Sequence, residues 1–127
     1  MGKLLLVGCG KMGSAMLDGW LARGLAPSDV IVAEPAEALR PRKPGLKGVA
    51  ASSEVVETPE IVVLAVKPQS MDFVLPDLKR FAGDGSKAGS VFLSIAAGKT
   101  LKYFAGHLGG AAKVVRAMPN KIGRAHV

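Results

Sequence analysis

Residues 3–13, KLLLVGCGKMG, constrain the fold more than any other part of the chain. The run KLLLVG is continuously apolar and stops on glycines, which reads as a strand buried on both faces. MGSAMLDGWLARG follows at once, with Met12, Ala15, Met16, Trp20 and Leu21 at helical spacing and Gly24 as terminator. A strand that turns on glycines straight into a helix predicts a crossover to a parallel neighbour. The turn itself, Gly8-Cys9-Gly10-Lys11-Met12-Gly13, matches G-x-G-x-x-G. Directly after a strand and opening a helix, that spacing is the dinucleotide fingerprint. Gly8 permits the tight turn, Gly10 removes a side chain where a pyrophosphate would approach, and Gly13 lets helix and strand pack closely. The phosphates would meet free N–H groups at the positive end of the helix.

The rest of the chain repeats the alternation. DVIVAEP reads as a second strand closed by Pro35, and residues 36–48 as a helix start broken by Pro41 and Pro44. VAASS reads as a short third strand and SEVVET as a helical turn opened by Ser53. EIVVLAVKP is the clearest strand. Residues 70–82 are expected to form a helix capped by Ser70, with Phe73, Val74, Leu78 and Phe81 facing inward. SVFLSIAAG, TLKYFAGHL and AKVVRAMP continue as strand, helix and strand. The expected class is α/β: a Rossmann-type, doubly wound, mainly parallel sheet with helices on both faces. With 5% aromatic residues against 49% apolar, its core must be built from Val, Leu, Ile and Ala.

At 127 residues, one domain is expected. No apolar run reaches bilayer length, and the apolar stretch at the N-terminus is too short for a signal peptide. The single Cys9 excludes an internal disulfide and fits a reducing compartment, so a cytoplasmic location without membrane contact is expected. The formal charge is +7, of which Lys121 and Arg124 supply two. Basic residues are scattered and lack interleaved aromatics, which argues against a nucleic-acid partner. No metal site is expected. Cys9 reads as a small packing residue, since no His or acid is placed to activate it. His107, on a short glycine-bounded helix, reads as a surface or capping residue.

Glu34 lies 21 residues after Gly13 at the end of the second strand, where an acid would bond the adenosine ribose of NAD. Arg40, Arg42 and Lys43 follow and could receive a 2′-phosphate, so NAD and NADP both stay open. A solvated loop charge is the plainer account of Glu34, an exposed strand-end lysine that of Lys67, and a turn residue after Pro119 that of Asn120.

LAVKPQ (64–69), SIAAG (94–98) and RAMPN (116–120) stand at successive strand ends on the edge that carries the glycine turn. Together with VGCGKMGSAML they resemble pyrroline-5-carboxylate reductase, and the resemblance runs over nearly all of residues 1–120. It implies an N-terminal domain that binds NADPH or NADH and a reaction that reduces 1-pyrroline-5-carboxylate to L-proline, in proline biosynthesis. It implies a homodimer or higher homo-oligomer formed through a helical C-terminal domain. Carried over by motif, Gly8, Cys9, Gly10, Lys11, Met12 and Gly13 would cradle the pyrophosphate. Glu34 and Pro35 would border the adenosine ribose, and Ser52 would lie near the adenine. Ala65, Val66, Lys67 and Pro68 would pass beneath the nicotinamide half, and Ala96, Ala97 and Gly98 would back its ring. Asn120 would lie near the substrate carboxylate. Lys11 departs from the Asn that many members carry.

The expected organisation is therefore a cofactor domain over residues 1–120 and a non-native tail over 121–127. The tail, KIGRAHV, has no counterpart in the resemblance, and one codon choice for IGRAHV resembles a sequencing-library adapter. The helical domain is expected to be absent, and with it the catalytic groups, so that the chain alone would be inactive. Two alternatives remain: a free-standing NAD(P)-binding regulatory module, and the Rossmann half of a 3-hydroxyacid or prephenate-type dehydrogenase.

Overall fold

The apolar runs become six short strands: β1 (Leu4–Val7), β2 (Val30–Ala33), β3 (Lys47–Val49), β4 (Ile61–Leu64), β5 (Val91–Ser94) and β6 (Lys113–Arg116). The computed structural model describes residues 3–41, 43–83, 89–95 and 99–117. All strand pairs are parallel, in the order β3-β2-β1-β4-β5-β6. Among the described residues, α-helices accompany them at α1 (Lys11–Ala22), α2 (Met71–Leu78) and α3 (Leu101–Leu108). This is the Rossmann-type sheet expected from the alternation.

Strand periodicity divides the core between two faces. On one, Leu6, Val30, Val32 and Val63 cluster with Leu17 of α1 and with Cys9. On the other, Leu5, Val7, Ile31, Val62, Leu64 and Phe92 cluster with Met71, Leu75 and Leu78 of α2 and with Phe104 and Leu108 of α3. The crossovers explain the split. A right-handed connection from β1 to β2 and one from β4 to β5 run in opposite directions along the sheet, so their helices fall on opposite faces. The β1 and β4 ends, paired as Val7 with Leu64, therefore open a crevice at the point where the strand order reverses.

Several local expectations are corrected. In α1 the buried positions are Gly13 and Leu17, with Met16, Trp20 and Leu21 half-buried, while Met12 and Ala15 face solvent. The third strand lies earlier than VAASS, at Lys47–Val49, because Glu34 N–H pairs with the Val49 carbonyl and draws that segment into register. In place of a helix, the described residues of 36–48 hold a 3-10 turn, Glu37–Leu39. Another 3-10 turn opens at Ser52, one residue before the expected cap. Ser70 occupies the position before α2, yet its side chain makes no capping bond. Phe73 is 81% exposed, because Met71, Leu75 and Leu78, at spacings of four and three, form the inward stripe instead. Pro76 lies inside α2, which gives way to a 3-10 turn, Lys79–Phe81. Gly24 does follow α1, at φ +107°.

Candidate dinucleotide site at the sheet crevice

Each glycine of the turn meets a different physical demand. Gly8, at φ +92°, donates its N–H to the Ala33 carbonyl at 2.8 Å. A Cβ there would lie 2.9 Å from Val66 Cγ1 and 3.0 Å from the Ala65 carbonyl oxygen. At Gly13 a Cβ would lie 2.5 Å from the Gly8 carbonyl oxygen, so only glycine lets α1 sit down on the turn. Gly10 is different, because a Cβ there would meet no protein atom within 4 Å. The space beside it is open to a ligand. Gly10 also occupies the cap position of α1, no side chain caps that end, and no acid lies in the first turn. The N–H groups of the first turn, which have no partner within the helix, thus form a positive end suited to phosphate.

Glu34 is held by the turn it faces. Its Oε1 accepts the Cys9 N–H at 2.7 Å and its Oε2 accepts the Ala36 N–H at 3.0 Å. The residue is 8% exposed, well away from the solvated loop charge that was the plainer reading. Arg40 packs over the same strand end, donating from Nε to the Glu34 carbonyl at 2.6 Å and from Nη2 to the Pro35 carbonyl at 3.1 Å. Lys43 turns toward α1, 3.8 Å from Asp18. Arg42 lies outside the described residues.

A cavity of about 520 Å³ opens over this edge, a size suited to a cofactor-sized ligand. Gly8, Gly10, Glu34, Pro35, Ser52, Ala65, Val66 and Lys67 line it. Cys9, Lys11, Met12, Gly13 and Pro68 do not: Cys9 is buried behind the turn, and Met12 is 44% exposed. Burial, and then the nearby Glu34 and Asp18 carboxylates, push the Cys9 thiol up from its ordinary pKa, away from nucleophile chemistry. Ala96, Ala97, Gly98, Asn120 and residues 121–127 lie outside the described residues. Leu39, Ala50, Ala51, Phe73 and Asp77 also line the wall without having been expected there. Phe73 was expected to face the core, and only the competing α2 stripe of Met71, Leu75 and Leu78 could have turned it outward.

His107 and Tyr103 of α3 meet Asp72 of α2 outside the cavity lining. Tyr103 donates its hydroxyl to Asp72 Oδ1, and His107 Nε2 lies 3.4 Å from the same oxygen. Among the described residues no group of ligating side chains could hold a metal ion, and no helix is long and apolar enough to cross a membrane.

Comparison with known proteins gives the family and the fold. The family model described as NADP oxidoreductase, coenzyme F420-dependent, matches residues 3–98. The pyrroline-5-carboxylate reductase of Mycobacterium tuberculosis (strain CDC 1551 / Oshkosh) is 36% identical over 124 residues, which is 94% of this chain and 42% of that protein. Among solved structures, the pyrroline-5-carboxylate reductase of Coxiella burnetii superposes with a TM-score of 0.78 at 26% identity, over 94% of this chain and 44% of that one. The pyrroline carboxylate reductase of Plasmodium falciparum, solved with NADP bound, gives 0.75 at 27%, over 94% and 42%. The chain thus spans less than half the length of each of these three relatives.

Proposed function

We propose that this chain, which belongs to the family described as NADP oxidoreductase, coenzyme F420-dependent, is the cofactor-binding portion of an enzyme that reduces 1-pyrroline-5-carboxylate to L-proline. The observation that carries the reading is a glycine turn with open space beside Gly10, at the sheet crevice, in a chain matched over 94% of its length by pyrroline-5-carboxylate reductases. NADPH or NADH supplies the hydride that the C=N carbon receives. The chain's own part is to bind and orient. The first-turn N–H groups of α1 hold the pyrophosphate, with Gly10 leaving room for it. Glu34 and Pro35 border the adenosine ribose, and Ser52 lies toward the adenine. Ala65, Val66 and Lys67 carry the nicotinamide half, and the family resemblance assigns Ala96, Ala97 and Gly98 to its ring and Asn120 to the substrate carboxylate. Arg40 brings a guanidinium to the β2 end, which favours the 2′-phosphate of NADPH over NADH.

Because orientation supplies much of the rate of such a transfer, a chain that spans 42% of its relatives is expected to bind cofactor without forming proline. Calorimetric titration with NADPH and NADH tests the first half of this reading. Binding of both, with NADPH tighter, is expected, and no heat with either ligand sinks the cofactor assignment. Joining the remaining portion of a relative should restore proline formation. Continued inactivity of a soluble, cofactor-binding fusion would overturn the substrate assignment.

A further inference from the structure

Part of the cavity wall is a loop that begins at Ala50, Ala51 and Ser52, and one arginine of the 3-10 turn after α2 holds it. Arg80 donates from Nη2 to the Ser52 carbonyl at 2.7 Å and to the Val55 carbonyl at 2.8 Å. Its Nε reaches the Asp77 carbonyl at 3.3 Å, and its guanidinium carbon lies 4.1 Å from the centre of the Phe81 ring. The head group is therefore fixed on the last turn of α2 and on the 3-10 turn after it while it grips a segment 25 to 28 residues away. From within the loop, Glu54 Oε2 accepts the N–H groups of Ala50 at 3.1 Å and Ala51 at 3.0 Å. Ala50, Ala51 and Ser52 line the cavity, whereas Arg80 does not.

We infer that Arg80 is a positioning residue for the adenosine end of the cofactor: it fixes the 50–55 loop as a rigid wall without touching the ligand. The inference rests on the cofactor reading above. Hydrogen bonds from a charged donor are worth more than neutral ones. A loop held in its bound shape also loses less entropy when a ligand arrives. Lysine could reach a carbonyl, but it cannot lie flat on Phe81 while bonding Asp77 and two loop carbonyls.

The test compares wild type with Arg80→Met and Arg80→Lys. Hydrogen exchange is read at the Glu54 and Val55 amides, which bond to Ala51 and Ser52 across the loop. Affinity is measured by NMR titration for 2′-phospho-ADP-ribose and for nicotinamide mononucleotide. Both variants are expected to exchange faster at those amides and to bind the adenosine probe about tenfold more weakly. The mononucleotide should be unaffected. Wild-type affinity for the adenosine probe in either folded variant overturns the inference, as does an equal loss for both probes. If Arg80→Met does not fold, Arg80→Lys decides alone. If wild type binds neither probe, the cofactor reading and the positioning role both fall. Unchanged exchange in the variants, by contrast, removes the clamp and leaves the cofactor reading intact.

Discussion

Gly10 and Gly13 look alike in the sequence and differ in what surrounds them. At Gly13 an added methyl would press within 2.5 Å of a backbone oxygen that cannot move without breaking the turn. That clash outweighs the ~1 kcal/mol of helix propensity that alanine brings. Gly13→Ala should therefore destabilise the fold by about 1–3 kcal/mol, as a urea melt would read. Gly10→Ala meets no protein atom. Its unfolding free energy should stay within about 0.5 kcal/mol of wild type, while NADPH affinity falls at least tenfold. An unaltered affinity would remove the ligand from that space. Glu34 shows the limit of reading residues from spacing alone. Its position after β2 was legible, but not that both carboxylate oxygens accept main-chain N–H groups from the glycine turn and its own loop. Those partners lie 25 residues apart in sequence in one case and two in the other.

At the scale of elements, α2 and α3 are joined by polar groups as well as by their shared core. The Tyr103 phenol is pushed up to about 12 by partial burial and by the Asp72 carboxylate that accepts its hydrogen bond. The raised value means that the fold favours the neutral phenol. Its stabilising contribution is fully present below the ordinary tyrosine value near 10 and is lost as pH rises through about 12. Absorbance titration near 295 nm should show this late phenolate. Asp72→Asn should bring it back toward 10, and an unchanged midpoint would deny the contact. Helix and strand existence was legible here because apolar runs and glycine stops are local signals. The inward face of α2 was misread because its apolar residues at 71, 73, 74, 75 and 78 fit two stripes. The sheet, by receiving Met71, Leu75 and Leu78, chose between them.

For the whole molecule, the cavity and the glycine turn predict that stability and cofactor binding are linked. A ligand that binds only the folded chain adds about 2.7 kcal/mol at a concentration a hundredfold above its Kd. Thermal melts at rising NADPH should show Tm climbing with concentration, and a Tm indifferent to NADPH would contradict the proposed site. The sequence by itself determined the class of fold, the alternation of strands and helices and the place of the glycine turn. Each follows from short-range chemistry: buried β-branched runs, glycines where side chains cannot fit, and right-handed crossovers. Only the tertiary structure decided that Leu39, Ala50, Ala51, Phe73 and Asp77 share the cavity with the residues named from the sequence. Its walls bring Gly10 of the first crossover, Glu34 at the end of β2, Ser52 of the loop and Phe73 of α2 to one space. That convergence depends on the packing of elements far apart in the chain, for which no local pattern of residues exists.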